Sequence, residues 1–308
     1  MHQNSNFDIK YSRTIFRQEV RKLGKVKKGD IVGRKSYGKD ILFTVEKIIK
    51  KKNEEPVAIL KGLIIRIEAD ALLDDLVIIE SKQIDGHMRS LEEKLEEKIH
   101  RCSKDLKEEP KAFFKRSFLK HETRSEENGK ILHLDGDKRY SEKSAKYYKK
   151  LNLNAIVRNV SESKQEYVVY DLLNRYNPDV LVITGHDGMI KNGTGYNDIY
   201  NYRNSKYFIN TVREAKKWVN KIGKDLVIFA GACQSYYEAL VTAGANFASS
   251  PARVLIDFMD PLIVAEKVAT TEDYKYITIN DIASELRDGT RGISGIGARG
   301  KRYTKVKI

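Results

Sequence analysis

The pattern of apolar and polar positions divides the chain into blocks of different character. Residues 24–78 contain short apolar runs, rich in β-branched residues, that are separated by Gly, Asn and Pro. This pattern is typical of short strands joined by turns. It predicts a small SH3-like β barrel, a fold that binds partners more often than it catalyses. The expected strands are Asp30–Val32, Ile41–Ile49, Val57–Leu60 and Leu63–Ile67.

Residues 79–128 are rich in Lys, Glu, Ser and Arg. Within them, one apolar stripe recurs at helical spacing while the positions between are charged. We therefore expect a charged helical connector in which Cys102 acts as a small apolar residue rather than a reactive thiol. The stripe consists of Leu91, Leu95, Ile99 and Cys102.

Residues 129–286 alternate continuous apolar runs with amphipathic stretches of ten or more residues. This alternation predicts a parallel sheet covered by helices on both faces, which makes the domain α/β. In such sheets, chemistry collects beyond the carboxyl ends of the strands. The expected strands are Lys130–Leu134, Ala155–Val160, Val180–Thr184 and Leu226–Ala230, and the expected helices are Ser141–Leu151, Ser163–Tyr176 and one that ends near Val219.

Two of these strands run into reactive side chains. Val180–Thr184 is followed by His186, and Leu226–Ala230 is followed by Cys233. Strands joined by a right-handed crossover can be neighbours, which would bring both side chains to the same rim. An imidazole there can take the thiol proton and later protonate a leaving amine. The helix expected after Cys233 would favour the thiolate through its N-terminal partial charge.

A structural interpretation of the same two residues stays open. Cys233 would then be a buried apolar side chain, and His186 would cap a turn at the end of its strand. Against it stand the small residues beside both positions, Gly188 and Ala232, which would let a substrate backbone approach closely and offer main-chain N–H groups to an oxyanion.

The order of these features resembles that of the caspase-like cysteine peptidases. In that group one strand ends in His-Gly and a second strand, about 50 residues later, ends in Ala-Cys; here His186 and Cys233 are 47 residues apart. The segments GDIVGRKSYGKDILFTV, LHLDGD, VLVITGHDG and VIFAGACQSYYEAL together resemble the YabG family of sporulation-specific peptidases over roughly residues 20–300. The resemblance implies a caspase-like fold, with Cys233 as the nucleophile and His186 as the general base and acid.

The sequence departs from the caspase-like pattern directly after the histidine. Asp187 stands where Gly is usual, and Gly188 comes one residue later. The expected oxyanion donors are the backbone N–H groups of Cys233 and of either Asp187 or Gly188. Adjacent residues seldom align their side chains productively, so Asp187 is not expected to be a third catalytic residue.

The end of the first α/β strand contributes to the specificity pocket in the caspase-like fold. Here that strand ends in Asp135, Gly136 and Asp137. Carboxylates at this place would bind an Arg or Lys side chain before the scissile bond. Alternatively, the same three residues form an ordinary acidic turn or helix cap.

Charge, cysteine content and hydropathy narrow the possible functions. The net charge is +14, and residues 1–28 and 287–308 each carry +6. We expect a basic arm at 1–23 and a basic Gly-rich tail at 287–308, flexible and attracted to polyanions but lacking the interleaved aromatics of a nucleic-acid surface. Nucleic acid is therefore not an expected partner.

The same features argue against a membrane span, a metal site and a cofactor. The chain has no apolar run long enough to cross a membrane and no secretory signal. Its two cysteines are far apart, and its histidines lack ligand spacing, so no metal is expected. The motif GIGARG at 295–300 follows no predicted strand and opens no apolar helix, which argues against a dinucleotide site. No cofactor is expected.

The resemblance implies a protease that trims proteins of the spore coat, the cortex or the germination apparatus. Such an enzyme would act in the cytoplasm of the sporulating mother cell or on the forming coat. The alternative is a non-catalytic scaffold or binding protein of spore assembly, in which the α/β domain is inert.

Overall fold

The computed structural model describes residues 25–108, 124–190 and 195–306. Its contacts divide the chain into two compact units. One unit holds the described residues up to Leu60 together with Asp70–Ile84. The other holds Lys61–Ala69 together with the described residues from Asp85 onward. The short segment Lys61–Ala69 therefore belongs to the larger unit, although the sequence on both sides of it belongs to the smaller.

The smaller unit is built on a five-stranded sheet. The strand order is β4-β3-β2-β1-β5, and β1 runs antiparallel to both β2 and β5. The strands are β1 (Ile31–Arg34), β2 (Phe43–Ile49), β3 (Val57–Gly62), β4 (Glu68–Leu72) and β5 (Leu76–Ile78), with 3₁₀ turns at Lys35–Tyr37 and Leu73–Asp75. Closure into an SH3-like barrel stays a prediction.

The apolar run Leu63–Ile67 does not form the expected strand. It lies between β3 and β4 and makes only isolated bridges through Ile65 and Ile67. Leu63 and Ile67 are buried, and Ile64 and Ile65 are partly buried, as their apolar character suggests, but the apolar pattern did not indicate which part of the fold buries them.

A long helix, α1 (Ser81–Glu108), follows β5. It confirms the helix expected from the apolar stripe in this block. The stripe's own side chains, those of Leu91, Leu95, Ile99 and Cys102, lie outside the described residues, as does the basic arm at 1–23.

The larger unit contains a six-stranded sheet. The strand order is β13-β11-β10-β9-β7-β8, in which every neighbouring pair is parallel except β13, which is antiparallel to β11. This confirms the predicted α/β class and parallel sheet. Its strands are β7 (Ile131–Asp135), β8 (Ala155–Asn159), β9 (Val180–Thr184), β10 (Val227–Ala230), β11 (Phe247–Ser249) and β13 (Ile293–Gly295).

Helices connect and cover these strands. They are α2 (Lys138–Lys150), α3 (Glu162–Tyr176), α4 (Ser205–Ile222), α5 (Tyr237–Ala243), α6 (Asp260–Thr270) and the short α7 (Gly289–Gly292). Two small antiparallel pairs complete the unit: β6 (Arg124–Glu127) with β15 (Tyr303–Val306), and β12 (Tyr276–Ile277) with β14 (Ala298–Arg299).

The described part of the basic C-terminal region is ordered into strands rather than forming a flexible tail. β13 adds an edge strand to the main sheet, and Ile293 within it is fully buried. β14 and β15 pair with other strands. The local sequence did not indicate these strands, because Gly and basic residues interrupt the apolar positions.

Alternate residues of each central strand enter two separate cores. On β10, Phe229 packs with α6 residues such as Val264 on one face, and Ile228 packs with α4 residues such as Val212 on the other. Because both faces are covered, every position of β9 and β10 is buried. These strand ends are consequently held by packing on both sides of the sheet.

Substitution of Phe229 by Ala should remove packing from the centre of one core. We expect a loss of about 3 to 5 kcal/mol in the free energy of unfolding, since Phe229 is only 1% exposed. Urea unfolding followed by the fluorescence of Trp218, the single tryptophan of the chain, would report on this unit. Tyr167→Ala, at a side chain 75% exposed on α3, is the matched control and should cost under about 0.5 kcal/mol; equal losses would contradict the layered core.

Candidate active site

The reactive side chains follow three neighbouring strands of the parallel sheet. β7 pairs with β9 so that Asp135 lies opposite Thr184, and β9 pairs with β10 so that Ile183 lies opposite Ala230. His186 and Cys233 each come three residues after one of these paired positions. The carboxyl ends of parallel strands share one edge, so the loops that carry the predicted site residues begin at the same rim. The predicted adjacency of the two strands is confirmed.

The Cys233 thiol is buried against the backbone of Ile256. Its Sγ accepts a hydrogen bond from Ile256 N at 3.2 Å and lies 3.5 Å from Ile256 O, to which it can donate. Burial raises the pKa of this thiol above its usual range, because the thiolate would lose its hydration. The helix expected directly after Cys233 starts only at Tyr237, so desolvation rather than a helix N-terminus sets the direction of this shift.

His186 is also fully buried. Its Nε2 lies 3.2 Å from the carbonyl oxygen of Gly62, and its ring stacks on Tyr140 with centroids 5.3 Å apart. An acceptor at Gly62 requires the proton to sit on Nε2, which leaves Nδ1 as the basic nitrogen. Nδ1 is buried and has no hydrogen-bond partner among the residues that the structure describes.

Electrostatics keep this imidazole neutral. Burial lowers the pKa of His186 to about 4, and the positive charge of Lys61 acts in the same direction. At neutral pH the ring is therefore uncharged and available as a proton acceptor.

Glu162 positions the His186 backbone and was not anticipated from the sequence. Its Oε1 accepts a hydrogen bond from His186 N at 2.9 Å and lies 3.5 Å from Nζ of Lys61. The carboxylate fills the space beside Gly136 and Gly185, where an added Cβ would approach Oε1 to 2.2 and 2.5 Å. In the sequence Glu162 resembles an ordinary first-turn acidic residue of α3, so no local pattern pointed to it.

Asp187 organises the surrounding loops through its side chain. Oδ1 accepts hydrogen bonds from the backbone N–H groups of Gly188 (2.9 Å) and Asn204 (2.8 Å), and Oδ2 accepts from the hydroxyls of Ser205 (2.5 Å) and Ser235 (2.8 Å). Burial raises the pKa of Asp187 to about 6, although these hydrogen bonds oppose the shift. The side chain connects three segments of the chain, its own loop, the start of α4 and the loop at Ser235, and makes no hydrogen bond to the His186 ring.

Two of the three expected oxyanion donors converge on one acceptor. The backbone N–H groups of Asp187 and Cys233 both donate to the carbonyl oxygen of Arg66, at 3.1 and 3.2 Å. Gly188 N is instead used in the hydrogen bond to Asp187 Oδ1. Asp187 N and Cys233 N therefore share an acceptor that Gly188 N does not contact, and their role as oxyanion donors stays a prediction.

Asp135 forms a buried ion pair. Its Oδ2 lies 2.9 Å from Nη1 of Arg66, with neither side chain exposed to solvent. Burial alone would raise the pKa of Asp135, but the Arg66 guanidinium overrides this and holds the pKa well below its usual range. Oδ1 accepts a hydrogen bond from Asp137 N at 2.9 Å.

Asp137 has a different task. It is the N-cap of α2, where Oδ1 accepts from Arg139 N at 2.8 Å and from Tyr140 N at 3.4 Å, and it pairs with the Arg139 side chain at 3.0 Å. The two carboxylates that the sequence grouped together are therefore separated by function: Asp135 contacts a guanidinium from a distant segment, and Asp137 begins a helix.

Arg66 is the second residue at this site, after Glu162, that sequence reasoning missed. It stands in the run Leu63–Ile67, which was interpreted as a strand of the N-terminal block. The one available signal was the charge itself, a lone Arg among apolar neighbours, because such a residue is buried only with a partner.

Two further observations concern metal ligands and membrane-spanning helices. Among the described residues, no group of three or more His, Cys, Asp or Glu side chains is arranged to hold a metal ion. Of the helices that the structure describes, none combines the length and the apolar character needed to cross a membrane.

Comparison with known proteins gives one family and one curated relative. The family model described as YabG peptidase U57 matches residues 27–307. The Sporulation-specific protease YabG of Bacillus subtilis (strain 168) is 37% identical over 277 residues, which is 88% of this chain and 94% of that protein. No solved structure matches the chain significantly.

The buried pair of His186 and Asp187 should give opposite pH dependences of stability. In the unfolded chain His186 takes up a proton near its usual pKa of about 6.5, whereas in the fold its pKa is about 4. Between these pH values the unfolded chain binds more protons, so acidification destabilises the protein. Asp187, with a pKa of about 6, takes up a proton in the fold before the unfolded chain does, so acidification through this range stabilises it. The two slopes, each at most about 1.4 kcal/mol per pH unit, should nearly cancel.

Removing the His186 imidazole should reveal the pH dependence of stability that is due to Asp187 alone. Between pH 6.5 and 4.5, the free energy of unfolding of a His186→Gln variant should change more favourably than that of the wild type, by up to about 2 to 3 kcal/mol. Urea unfolding at several pH values measures this difference. Parallel pH profiles for the two proteins would show that His186 is not held neutral in the fold.

Proposed function

Because the chain belongs to the YabG peptidase U57 family, we propose that it is a caspase-like cysteine endopeptidase of sporulation, with Cys233 as the nucleophile and His186 as the general base and acid. Membership of this family supports a peptidase activity. The cysteine mechanism and the cleavage specificity are what we propose.

One observation carries the proposal. Two backbone N–H groups, from Asp187 and Cys233, point at a single peptide carbonyl oxygen, and they belong to the loops that hold the imidazole and the thiol. A pair of preorganised N–H donors beside a nucleophile is the arrangement that stabilises the oxyanion in acyl transfer. A purely structural Cys and a turn-capping His would have no need for both amides to meet on one carbonyl.

The protonation states support a general-base mechanism. The thiol is neutral, so its proton must leave as the carbonyl is attacked, and the unprotonated Nδ1 of His186 is the acceptor. The oxyanion is stabilised by the Asp187 and Cys233 amides, and the imidazolium then protonates the leaving amine. Water hydrolyses the resulting thioester, with the neutral imidazole again acting as the base.

Asp135 is proposed to select Arg or Lys before the scissile bond. In support, the carboxylate is fully buried at the end of β7 and already contacts a guanidinium. A charge-assisted contact of this kind contributes about 1.5 to 3 kcal/mol, which corresponds to roughly tenfold to a hundredfold discrimination. Asp137 was also a candidate for this pocket, but its two capping hydrogen bonds favour a structural role.

The biological setting follows from the family and from the relative's description as sporulation-specific. We propose that the substrates are proteins of the spore coat, the cortex or the germination apparatus, met in the mother-cell cytoplasm or at the forming coat. The N-terminal β unit is proposed to recruit them. The alternative is a non-catalytic scaffold. The two hypotheses differ in whether the Cys233 thiol is required for the activity of the protein.

Replacing Cys233 by Ala should abolish peptide hydrolysis, by about three orders of magnitude or more, while leaving the fold intact. The readout is a fluorogenic peptide assay, together with Trp218 fluorescence as a check on folding. Cys102→Ala, which removes the other cysteine of the chain, is the matched control and should retain activity. Undiminished hydrolysis by the Cys233→Ala protein would eliminate the enzyme and favour the scaffold.

The specificity is tested with peptides that differ only before the scissile bond. Arg should be hydrolysed ten to a hundred times faster than Gln or Asp. Asp135→Asn keeps an acceptor for Asp137 N but loses the charge, so it should erase the preference. Asp137→Asn retains a good helix cap and should preserve it. Equal rates for Arg, Gln and Asp with the wild type would refute the assignment.

A further inference from the structure

The segment Gly62–Glu68 lies against the proposed catalytic residues within the larger unit. Its Gly62 carbonyl contacts the His186 ring, and its Arg66 carbonyl receives the amides of Asp187 and Cys233. The inference rests on the proposed function, because it concerns how this segment occupies the proposed active site.

The backbone of the segment pairs with the site as an extended peptide does. Ile65 forms an antiparallel bridge with Asp257, and Arg66 N donates to Ile256 O at 3.5 Å. The same Ile256 backbone contacts the Cys233 thiol through both its N–H and its carbonyl. Addition of a strand to an open edge is a common mode of peptide recognition, and here it sets Arg66 beside the thiol.

The chain continues past Arg66 along the histidine loop. Glu68 N donates to Asp187 O at 2.8 Å. Gly188 allows this approach, because a Cβ there would lie only 2.2 Å from Glu68 O. Both sides of the Arg66–Ile67 peptide bond are therefore held by residues of the proposed site.

The Arg66 side chain fills the proposed specificity pocket. Nη1 contacts Asp135 Oδ2 at 2.9 Å and Gly185 O at 3.4 Å, and Nη2 donates to Phe258 O at 3.0 Å. The guanidinium lies 4.8 Å from the centre of the Tyr140 ring. These are the contacts that a buried carboxylate pocket would make with the Arg of a substrate.

Stability alone does not account for this arrangement. A buried ion pair is weak evidence for stabilisation, since apolar residues of similar size often serve as well. Here one residue directs its N–H to the Ile256 carbonyl beside the thiol, its carbonyl oxygen to two converging amides and its side chain to Asp135. Those are three separate features of a substrate residue before a scissile bond.

We propose that Arg66–Ile67 is a self-cleavage site, bound in its own active site by the chain that contains it. Cys233 Sγ forms a bond to the Arg66 carbonyl carbon while His186 takes the thiol proton. The bond from that carbon to Ile67 N breaks, and the proton passes to the new amino group of Ile67. Water then releases the Arg66 carboxylate and restores the thiol.

The test uses the full-length chain and a fluorogenic peptide with Arg before the scissile bond. Incubated wild-type protein should acquire a new N-terminus at Ile67, detected by N-terminal labelling and mass spectrometry. Because the segment is already in place, the rate should be first order and unchanged on tenfold dilution. Cys233→Ala should show no such terminus.

Variants of Arg66 separate this proposal from the proposed function. Arg66→Lys should still be cut after residue 66. Arg66→Gln should be cut there ten to a hundred times more slowly, while still hydrolysing the Arg peptide. If Arg66→Gln fails to fold because Asp135 loses its partner, the wild-type terminus and Arg66→Lys decide the question.

The outcomes are distinguishable. Hydrolysis of the Arg peptide without an Ile67 terminus overturns self-cleavage and leaves the proposed function standing. Self-cleavage confined to Arg116, Lys120 or Arg124 in the connector overturns the assignment to Arg66–Ile67 and also leaves the proposed function standing. A rate that rises with protein concentration overturns the intramolecular arrangement. Failure to cleave either the peptide or the chain overturns both proposals.

Discussion

Arg66 carries a full positive charge to a place where its side chain has no contact with solvent. Such a charge is tolerated only when a partner of opposite sign and several acceptors surround it. Asp135 supplies the charge, and the carbonyls of Gly185 and Phe258 supply the acceptors. Breaking a buried pair of this kind commonly costs about 3 to 5 kcal/mol, so the guanidinium fixes the segment on which the backbone contacts of Asp187 and Cys233 depend.

The parallel sheet makes that arrangement possible. Burial of β9 and β10 on both faces leaves their ends little freedom to shift, and the pairing of β7, β9 and β10 brings three loops to one rim. Loops carry the chemistry, but packing beneath them sets their spacing. Asp187 adds a second level of control, because its carboxylate connects its own loop to the start of α4 and to Ser235.

Much of this was accessible from sequence, for a physical reason. Strands buried on both faces are continuous apolar runs, so Val180–Thr184 was predicted at its true bounds. Parallel topology then placed His186 and Cys233 in the loops that follow two adjacent strands. The contacts of Arg66 were not accessible. They join a segment more than 60 residues before β7 to the sheet, and two of them use the main-chain carbonyl, which every residue possesses. Glu162 was hidden because an acidic residue in a first helical turn is expected for the helix alone. The raised pKa of Cys233 depends on burial, which exceeds any effect of a nearby helix.

Glu162 connects regions that the sequence presents as independent. One carboxylate lies over Gly136 after β7 and Gly185 after β9, and it also receives the backbone N–H of His186. A side chain added at either glycine would displace that carboxylate, and with it the anchor of the histidine backbone. The loop that would recognise a substrate side chain and the loop that would move its protons therefore share one mechanical support. Remodelling of the first cannot proceed freely without altering the second.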